Sequence, residues 1–260
     1  MIRLLIGTVL LLNINWLHAQ DENQDPSGTS LEDKIQNPIA NMVSIPFNYN
    51  LSTNDDNTNV LNIQPVIPVQ ISKDWLMITR TIIPIINAPA PSGYQSGVGN
   101  ISVVGALTPA KQSSFTWGVG PSVLFPTITE GLGYEKFSIG PSVVGIKQNK
   151  GFTFGLLLQN FFSVAGPSSA PDVNFFYSQL ILAKKLKKGW YLYSSPNITA
   201  DWNAPSGSQW TIPLGAGAGK LIAHSKLPIN VKAGLFKYIE HPTDAEWLFQ
   251  LQTTLILKTN

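Results

Sequence analysis

Cysteine is absent from the 260 residues of the sequence, and charged residues are scarce. Without cysteine the chain forms no disulfide bond, thiolate nucleophile or cysteine-ligated metal site. Charged residues make up 12% of the chain, compared with about a quarter of an ordinary soluble domain. The net charge of +2 is too small for a protein that binds nucleic acid, and the lysines accompany no RNA-binding motif. We therefore predict a charge-poor surface and no nucleic-acid partner.

Histidine is almost as scarce, and this bears on catalysis. After residue 20 the sequence has two histidines, His224 and His241. A serine hydrolase needs a histidine within hydrogen-bond reach of its serine. Ser225 follows His224 directly, but neighbouring residues of a strand point to opposite faces, and His241 has no serine close to it in sequence. We predict that the protein is not an enzyme and that it binds no metal and no cofactor.

The run from Gly215 to Lys220, GAGAGK, is similar to a phosphate-binding loop but lacks two of its features. Its spacing is one residue too short, and Leu221 stands where that loop needs a serine or threonine to bind magnesium. We interpret the run as small residues of a strand whose other face carries Trp210, Ile212 and Leu214.

A long apolar run occurs only near the start of the chain. Residues 4–12 are mainly apolar, but they fall short of the roughly 20 residues of a membrane-spanning helix. Arg3 precedes this run and Leu17-His18-Ala19 follows it, so we predict that residues 1–19 are a cleaved signal peptide. An uncleaved membrane anchor is the alternative. Any later crossing of a membrane must use strands.

Residues 20–41 are predicted to form a periplasmic segment in front of the main domain. The first part of this segment is polar, which predicts disorder. Ser30 then has the position of an N-cap, with Asp33 in the first turn of a short helix and Ile35 and Ile39 on one of its faces. The helix has either a role at the mouth of the domain or a surface position without a role.

Alternation with period two dominates the rest of the chain. Gly120-Pro121-Ser122-Val123 recurs as Gly140-Pro141-Ser142-Val143. In both copies residues of one parity are apolar, while the other parity is mainly Thr, Gly and Ser, as in a strand with two unlike faces. The polar stretch TITEGLGYEK between the copies predicts a hairpin with a long connection.

About twelve candidate strands follow one another, each near the roughly 9–11 residues that a tilted strand needs to cross a bilayer. They lie near residues 42–50, 60–70, 75–84, 99–108, 115–126, 137–147, 152–163, 173–183, 190–200, 208–221, 228–238 and 246–257.

The connections between these strands are alternately long and short. Residues 85–97 are one of the long connections. As a group the long connections hold most of the loop acids, and the short ones hold most of the loop lysines. An outer-membrane barrel has short periplasmic turns and longer external loops. Aromatic residues near both ends of the strands predict two interfacial girdles. They are Trp75, Trp117, Phe152 and Trp190 near the short turns, and Phe137, Trp202, Trp210 and Trp247 near the long loops.

Alternation also predicts which side chains face the lumen. In the last strand Trp247, Phe249 and Leu251 share one parity, while Gln250 and Gln252 share the other. The candidate lumen residues are Asn62, Gln64, Gln70, Arg80, Gln159, Gln179, Gln250 and Gln252. Their role is either contact with a solute or polar filling that stabilises the barrel. Arg80 shares its parity with Ile78 and Ile82, which predicts a bulge or register change in that strand.

Proline is the main argument against a closed barrel. Proline has no N–H group for the ladder, and a closed barrel has no edge strand to accept it. Five prolines fall within predicted strands: Pro65, Pro121, Pro141, Pro196 and Pro213. A soluble sandwich or an open, bulged barrel is therefore the alternative fold.

Several phrases of the sequence resemble a known bacterial family. VLNIQPVIPVQISKDWLMITRTIIPII, WGVGPSVLFP, GPSVVGIKQ, DVNFFYSQ, GWYLYSSPNITADW and QWTIPLGAGAGK look like the outer-membrane family named for the MetA pathway of phenol degradation. The resemblance covers nearly all of the chain after the predicted signal peptide, including the prolines within strands. It implies a β-barrel of the outer membrane and a role in the passage of small aromatic or hydrophobic compounds. It identifies no binding residues.

From these features we predict an all-β fold in which residues 42–260 form an antiparallel up-and-down transmembrane β-barrel of about 12 strands. The predicted location is the outer membrane of a Gram-negative cell, with its lipids as partners. The predicted function is a channel for small neutral, aromatic or hydrophobic compounds. The alternative is a structural or adhesive barrel that transports nothing and acts through its external loops.

Overall fold

The computed structural model describes residues 30–53, 56–111, 113–223 and 227–257. The predicted signal peptide and His224 lie outside these ranges. The helix and strands are α1 Leu31–Lys34, β1 Val43–Thr53, β2 Thr58–Ile63, β3 Val66–Gln70, β4 Trp75–Ala90, β5 Gly93–Val98, β6 Ser102–Pro109, β7 Phe115–Leu124, β8 Phe137–Asn149, β9 Phe152–Ala165, β10 Asn174–Lys185, β11 Trp190–Ser194, β12 Asn197–Asp201, β13 Trp210–Ile222, β14 Ile229–Glu240 and β15 Trp247–Leu257. No helix in the described ranges is long and apolar enough to cross a membrane.

The strands form one closed antiparallel barrel. Six of them act as three interrupted strands, because β2 with β3, β5 with β6, and β11 with β12 each pair with the same neighbouring strand. This gives twelve barrel strands in up-and-down order. The first and the last of them pair along their whole length, from Val43 opposite Leu257 to Thr53 opposite Trp247. The predicted twelve-stranded barrel is confirmed, and the alternatives of a sandwich or an open barrel are wrong.

The two faces of the strands differ in the way that the alternation predicts. In β7 the side chains of Phe115, Trp117 and Val119 are exposed on the outside, while Thr116 and Ser122 are buried inside. Large apolar side chains of this kind cover the outer wall on most strands. A soluble barrel would turn them inward, so this wall is the lipid-facing surface of a transmembrane barrel.

Exposed aromatic rings mark both ends of the outer wall. We call the end with the short connections the turn end and the opposite end the loop end. Trp75, Trp117, Phe152 and Trp190 are exposed at the turn end, and Trp202 and Trp247 are exposed at the loop end. At the turn end, the Trp75 and Trp117 rings meet edge to face with their centroids 6.0 Å apart. These bands have the position of the two interfacial girdles of such barrels.

Proline enters the closed wall at places where the ladder is already interrupted. Pro65 lies in the gap between β2 and β3, and Pro196 lies in the gap between β11 and β12. At Pro213 the register between β13 and β14 shifts. Because a bulge or a gap leaves a residue without its ladder bond, the missing N–H group of proline costs little there.

The repeated Gly-Pro-Ser-Val motif accommodates its prolines as a pair. Pro121 and Pro141 stand opposite each other in the continuous β7–β8 ladder. The ladders on the far sides, from β7 to β6 and from β8 to β9, are interrupted at these positions. There the wall is tight: a Cβ atom on Gly120 would collide with the carbonyl oxygen of Gly105, and one on Gly140 with that of Asn160. Glycine therefore lets neighbouring strands approach where proline removes a hydrogen bond.

Two details of the predicted strands are wrong. Residues 85–97 are not a long loop, because β4 and β5 continue as a paired hairpin from Ile85 opposite Val98 to Ala90 opposite Gly93. In β4 there is no bulge near Arg80, because the register with β3 and β6 is unbroken. Arg80, Ile78 and Leu76 all face inward, and Thr79 faces outward, where its hydroxyl donates to the carbonyl oxygen of Ile67 at 3.0 Å.

Candidate functional site

Residues 30–42, which we call the plug, close the turn end of the lumen. Ser30 caps α1, and its hydroxyl oxygen accepts from the backbone N–H of Asp33 at 3.3 Å. The Asp33 carboxylate forms an ion pair with Lys185 on β10, with 2.8 Å between the charged atoms. Gln148 on β8 donates to the backbone carbonyl of Asp33 at 2.9 Å. The helix is thus fixed to two strands inside the mouth.

Ile39 anchors the plug in an apolar part of the lumen. Its side chain is 4% exposed and packs in one cluster with Leu76 and Ile78 of β4 and Val144 and Ile146 of β8. Burying an isoleucine side chain is worth about 1.5–3 kcal/mol. This cluster explains why Ile78 shares the inward face of β4 with Arg80: the inner face of the barrel is apolar where the plug covers it.

Tyrosine rings line another part of the inner wall. Tyr191, Tyr193, Phe236 and Ala183 form a second apolar cluster, against which Ile35 of the plug packs. A Cβ atom on Gly217 or Gly219 would overlap the rings of Tyr193 and Tyr191. The run GAGAGK is therefore part of a strand, and its inward glycines leave room for these rings. This agrees with the interpretation of the run as small residues of a strand.

A polar cavity of about 110 Å³ lies above the plug, inside the barrel. Residues 34–38, Ala40 and Met42 of the plug form part of its lining, and inward side chains of the wall form the rest. Among the wall residues are five of the eight candidate lumen residues: Gln64, Arg80, Gln179, Gln250 and Gln252. The cavity is thus lined by amides, by a guanidinium group and by the side chains of Lys34 and Lys232.

Arg80 is held in this cavity by neutral partners. Its guanidinium group donates to the side-chain oxygen of Gln64 at 2.7 Å and to that of Gln179 at 3.4 Å. On the other side of the cavity Gln250 donates to Asn50 at 3.1 Å and accepts from the Tyr193 hydroxyl at 3.3 Å. Gln252 donates to Thr254 at 2.9 Å. These bonds fix the amides and the guanidinium group against the wall.

The other three candidate lumen residues lie away from this cavity. Gln159 lines a separate space of about 20 Å³ beside Ile39 and donates to Ser142 at 3.3 Å. Asn62 stands opposite the buried Asn48, which gives it the inward face. Gln70 is exposed at the turn end, where its amide donates to the carbonyl of Ser72. The structure therefore groups five of the eight around one cavity.

Further polar residues of the cavity were not among the sequence candidates. On the barrel wall they are Ser44, Asn48, Ser195, Asn197, Lys232 and Thr254. The alternation of β1 and β14 contains the signal for two of them. Asn48 alternates with Phe47 and Tyr49, and Lys232 alternates with Val231 and Ala233.

At the loop end, the connection between β7 and β8 leans across the barrel. The Tyr134 hydroxyl donates to the carboxylate of Asp201 at 3.1 Å, and its ring packs against Phe175 on β10 at 5.6 Å between centroids. Both backbone polar groups of Tyr134 bond to the Asn100 side chain at 2.7 Å. Burial, and then the neighbouring Asp201 charge, raise the pKa of Tyr134 well above its usual value. The connection thus narrows this mouth.

Of the two histidines after residue 20, the structure describes His241. His241 lies in the last loop, where its Nδ1 atom accepts from the backbone N–H of Thr243 at 3.1 Å. Its ring packs on Tyr238 with 4.4 Å between centroids, and burial lowers the pKa of His241. Within the described ranges no three His, Cys, Asp or Glu side chains come together as a metal site.

A twelve-stranded barrel with a lipid-facing wall, girdles and a plugged polar lumen is a transmembrane β-barrel of the outer-membrane type. Solved structures with a similar fold include an outer membrane channel from Pseudomonas putida F1, with a TM-score of 0.63 and 14% identity; the match covers 83% of this chain and 96% of that chain. The NanC porin is similar with a TM-score of 0.53 and 10% identity, over 84% of this chain and 100% of the porin. No protein-family model and no curated protein sequence matches the chain. The resemblance to the phenol-degradation family stays a prediction.

Proposed function

We propose that the protein is an outer-membrane channel for small solutes. The observation that carries this proposal is the polar cavity beside the plug, inside a barrel whose outer wall is apolar. Barrels of about 8 strands are filled by side chains, and porins of 16 strands hold open water channels. Twelve strands with a partly filled lumen suit a narrow, selective passage. The fold shared with an outer membrane channel supports the same role.

The solute class that we propose follows from the amide lining and from the family resemblance. Gln64, Gln179, Gln250 and Gln252 donate and accept hydrogen bonds without carrying a charge. Such a lining accommodates neutral polar and phenolic compounds, and small aromatic or hydrophobic compounds are the class that the resemblance implies. In the lumen the amide groups take the place of water as hydrogen-bond partners of the passing solute.

Changing Gln64 and Gln250 together to leucine is expected to reduce the uptake of small neutral and phenolic compounds into liposomes that hold the protein. Gln64 accepts a hydrogen bond from Arg80, and Gln250 accepts one from Tyr193. Leucine at both positions therefore removes polar groups from both sides of the cavity. The matched control is Gln70→Leu, because Gln70 is exposed at the turn end. A shift in gel mobility between unheated and heated samples checks that each variant is folded. If the unchanged protein carries no solute into the liposomes, the result would favour a structural or adhesive barrel that transports nothing.

Orientation in the membrane is tested by epitope tags on intact cells. The long, acidic connections are proposed to face the outside. Tags inserted after Asp56, Gly131 or Ser206 are therefore expected to bind antibody without permeabilisation. A tag between Lys187 and Gly189, in the turn between β10 and β11, is expected to bind antibody only after permeabilisation. Labelling of the Lys187 tag on intact cells would reverse this orientation.

A further inference from the structure

Three cationic side chains line the lumen cavity: Lys34 of the plug, and Arg80 and Lys232 of the wall. The two on the wall have no charged partner among the described residues. Arg80 donates to the neutral side chains of Gln64 and Gln179, and the ammonium group of Lys232 lies 4.6 Å from the centre of the Tyr193 ring. Among the described residues no Asp or Glu lines this cavity. A charge inside a protein is costly unless an opposite charge accompanies it, so the cavity favours an anion.

Asn48 adds an acceptor to the same cavity. Its side chain is 5% exposed, and its Oδ1 atom is the one buried side-chain oxygen or nitrogen in the described part of the chain without a hydrogen-bond partner. A buried carbonyl oxygen without a donor is unfavourable, because it has lost its hydrogen bond to water. Asn48 stands opposite Gln252, and Gln252 stands opposite Lys232. The three inward side chains therefore form a row across β1, β15 and β14.

We propose that this cavity is a binding site for a small hydroxycarboxylate. Arg80 and Lys232 hold the carboxylate, and Asn48 Oδ1 accepts a hydrogen bond from the hydroxyl group. At about 110 Å³, the cavity is smaller than the roughly 150 Å³ that holds a benzene ring. An acid of about two or three carbons therefore fits with the plug in place, and an aromatic acid does not. This inference rests on the proposed channel function and adds a small anion to the neutral and phenolic solutes proposed above.

The test compares three ligands of similar size on the purified protein in detergent, by calorimetric titration. Lactate carries the carboxylate and the hydroxyl group, propionate lacks the hydroxyl group, and lactamide lacks the charge. Lactate is expected to bind at least about tenfold more tightly than lactamide, because hydrogen bonds to charged groups are the stronger ones. It is expected to bind about three- to tenfold more tightly than propionate, because propionate leaves Asn48 without a donor. Inorganic phosphate serves as the comparison for a general oxyanion.

Substitutions assign the two contributions to their residues. Arg80→Gln and Lys232→Gln are each expected to weaken lactate binding about tenfold and to weaken lactamide binding much less, because lactamide has no charge for either cation to attract. Asn48→Leu is expected to remove the difference between lactate and propionate. Lys220→Gln is the matched control. Lys220 belongs to the same barrel wall but does not line the cavity, and its ammonium group lies 5.1 Å from the centre of the Trp190 girdle ring. Heat-dependent gel mobility again checks the fold, and the ligand comparison on the unchanged protein needs no variant.

Equal binding of lactate and lactamide would overturn the proposal, and so would phosphate binding as tight as that of lactate. A lactate preference that survives both Arg80→Gln and Lys232→Gln would overturn it as well. Binding in detergent and flux into liposomes are separate measurements. Lactate that binds but does not cross liposomes would refute the channel and leave the site, whereas lactate that crosses without binding would refute the site alone.

Discussion

Valine in place of Gly140 is expected to lower the free energy of unfolding by about 3 kcal/mol or more, the upper part of the range for overpacked sites. A Cβ atom at this position would collide with the carbonyl oxygen of Asn160, closer than the 3.0 Å that real Cβ atoms keep. The obstacle is backbone of the neighbouring strand, so relief requires the β8–β9 wall to open. The measurement is urea unfolding of the barrel in lipid or detergent, followed by tryptophan fluorescence.

Gly145→Val on the same strand is the control for this result. A Cβ atom on Gly145 would meet the Phe115 ring at an ordinary distance of 3.6 Å. Valine there is expected to leave stability within about 0.5 kcal/mol or to raise it slightly, because glycine weakens a strand interior. Equal losses in the two variants would show that the close approach of β8 and β9 does not matter for stability.

Removal of the plug up to its last residue, by deleting residues 30–41, is expected to raise the single-channel conductance several-fold. The plug fills the turn-end mouth, and its Ile39 side chain packs against both β4 and β8. The twelve strands are expected to remain paired without it, because the ladder that closes the barrel joins β1 to β15 and includes no plug residue. The conductance is measured in planar bilayers, with heat-dependent gel mobility as the test of folding.

Ile39→Asp tests the same feature without shortening the chain. A carboxylate placed in the apolar cluster has no cationic partner there, so the segment is expected to leave the lumen. Ile39→Val keeps the shape and polarity of the side chain and serves as the matched control. Unchanged conductance in both the deletion and Ile39→Asp would show that the plug does not limit passage.

The strands could be predicted from the sequence because a barrel wall imposes period two on every strand. Lipid on one side and a polar lumen on the other give adjacent residues opposite chemistry, as in Phe115 and Thr116. The prolines were misleading as single residues, since the sequence does not show that Pro121 and Pro141 stand opposite each other. Proline also hid the β4–β5 hairpin. Its prolines are typical of a loop, but Pro89 lies within the paired part of the hairpin, opposite Tyr94.

The lumen site could be predicted only in part. Alternation points Gln64, Gln250 and Gln252 inward, and applied to β1 and β14 it would also have pointed to Asn48 and Lys232. The inward apolar face of β4 could not be understood from its own sequence, because the residue that covers it, Ile39, comes from a segment outside the strands. Contacts between segments that are distant in the chain leave no periodic trace in either segment.

The plug continues directly into the first barrel strand, since Met42 is followed by Val43 at the start of β1. A segment attached in this way competes with solutes as a tethered ligand. Short attachments give effective concentrations in the millimolar range or above, whatever the amount of protein in the membrane. A free solute that needs the same space must therefore reach comparable concentrations or bind more strongly than the segment. In the proposed channel, the affinity of the lumen for the plug thus sets a concentration threshold for solutes.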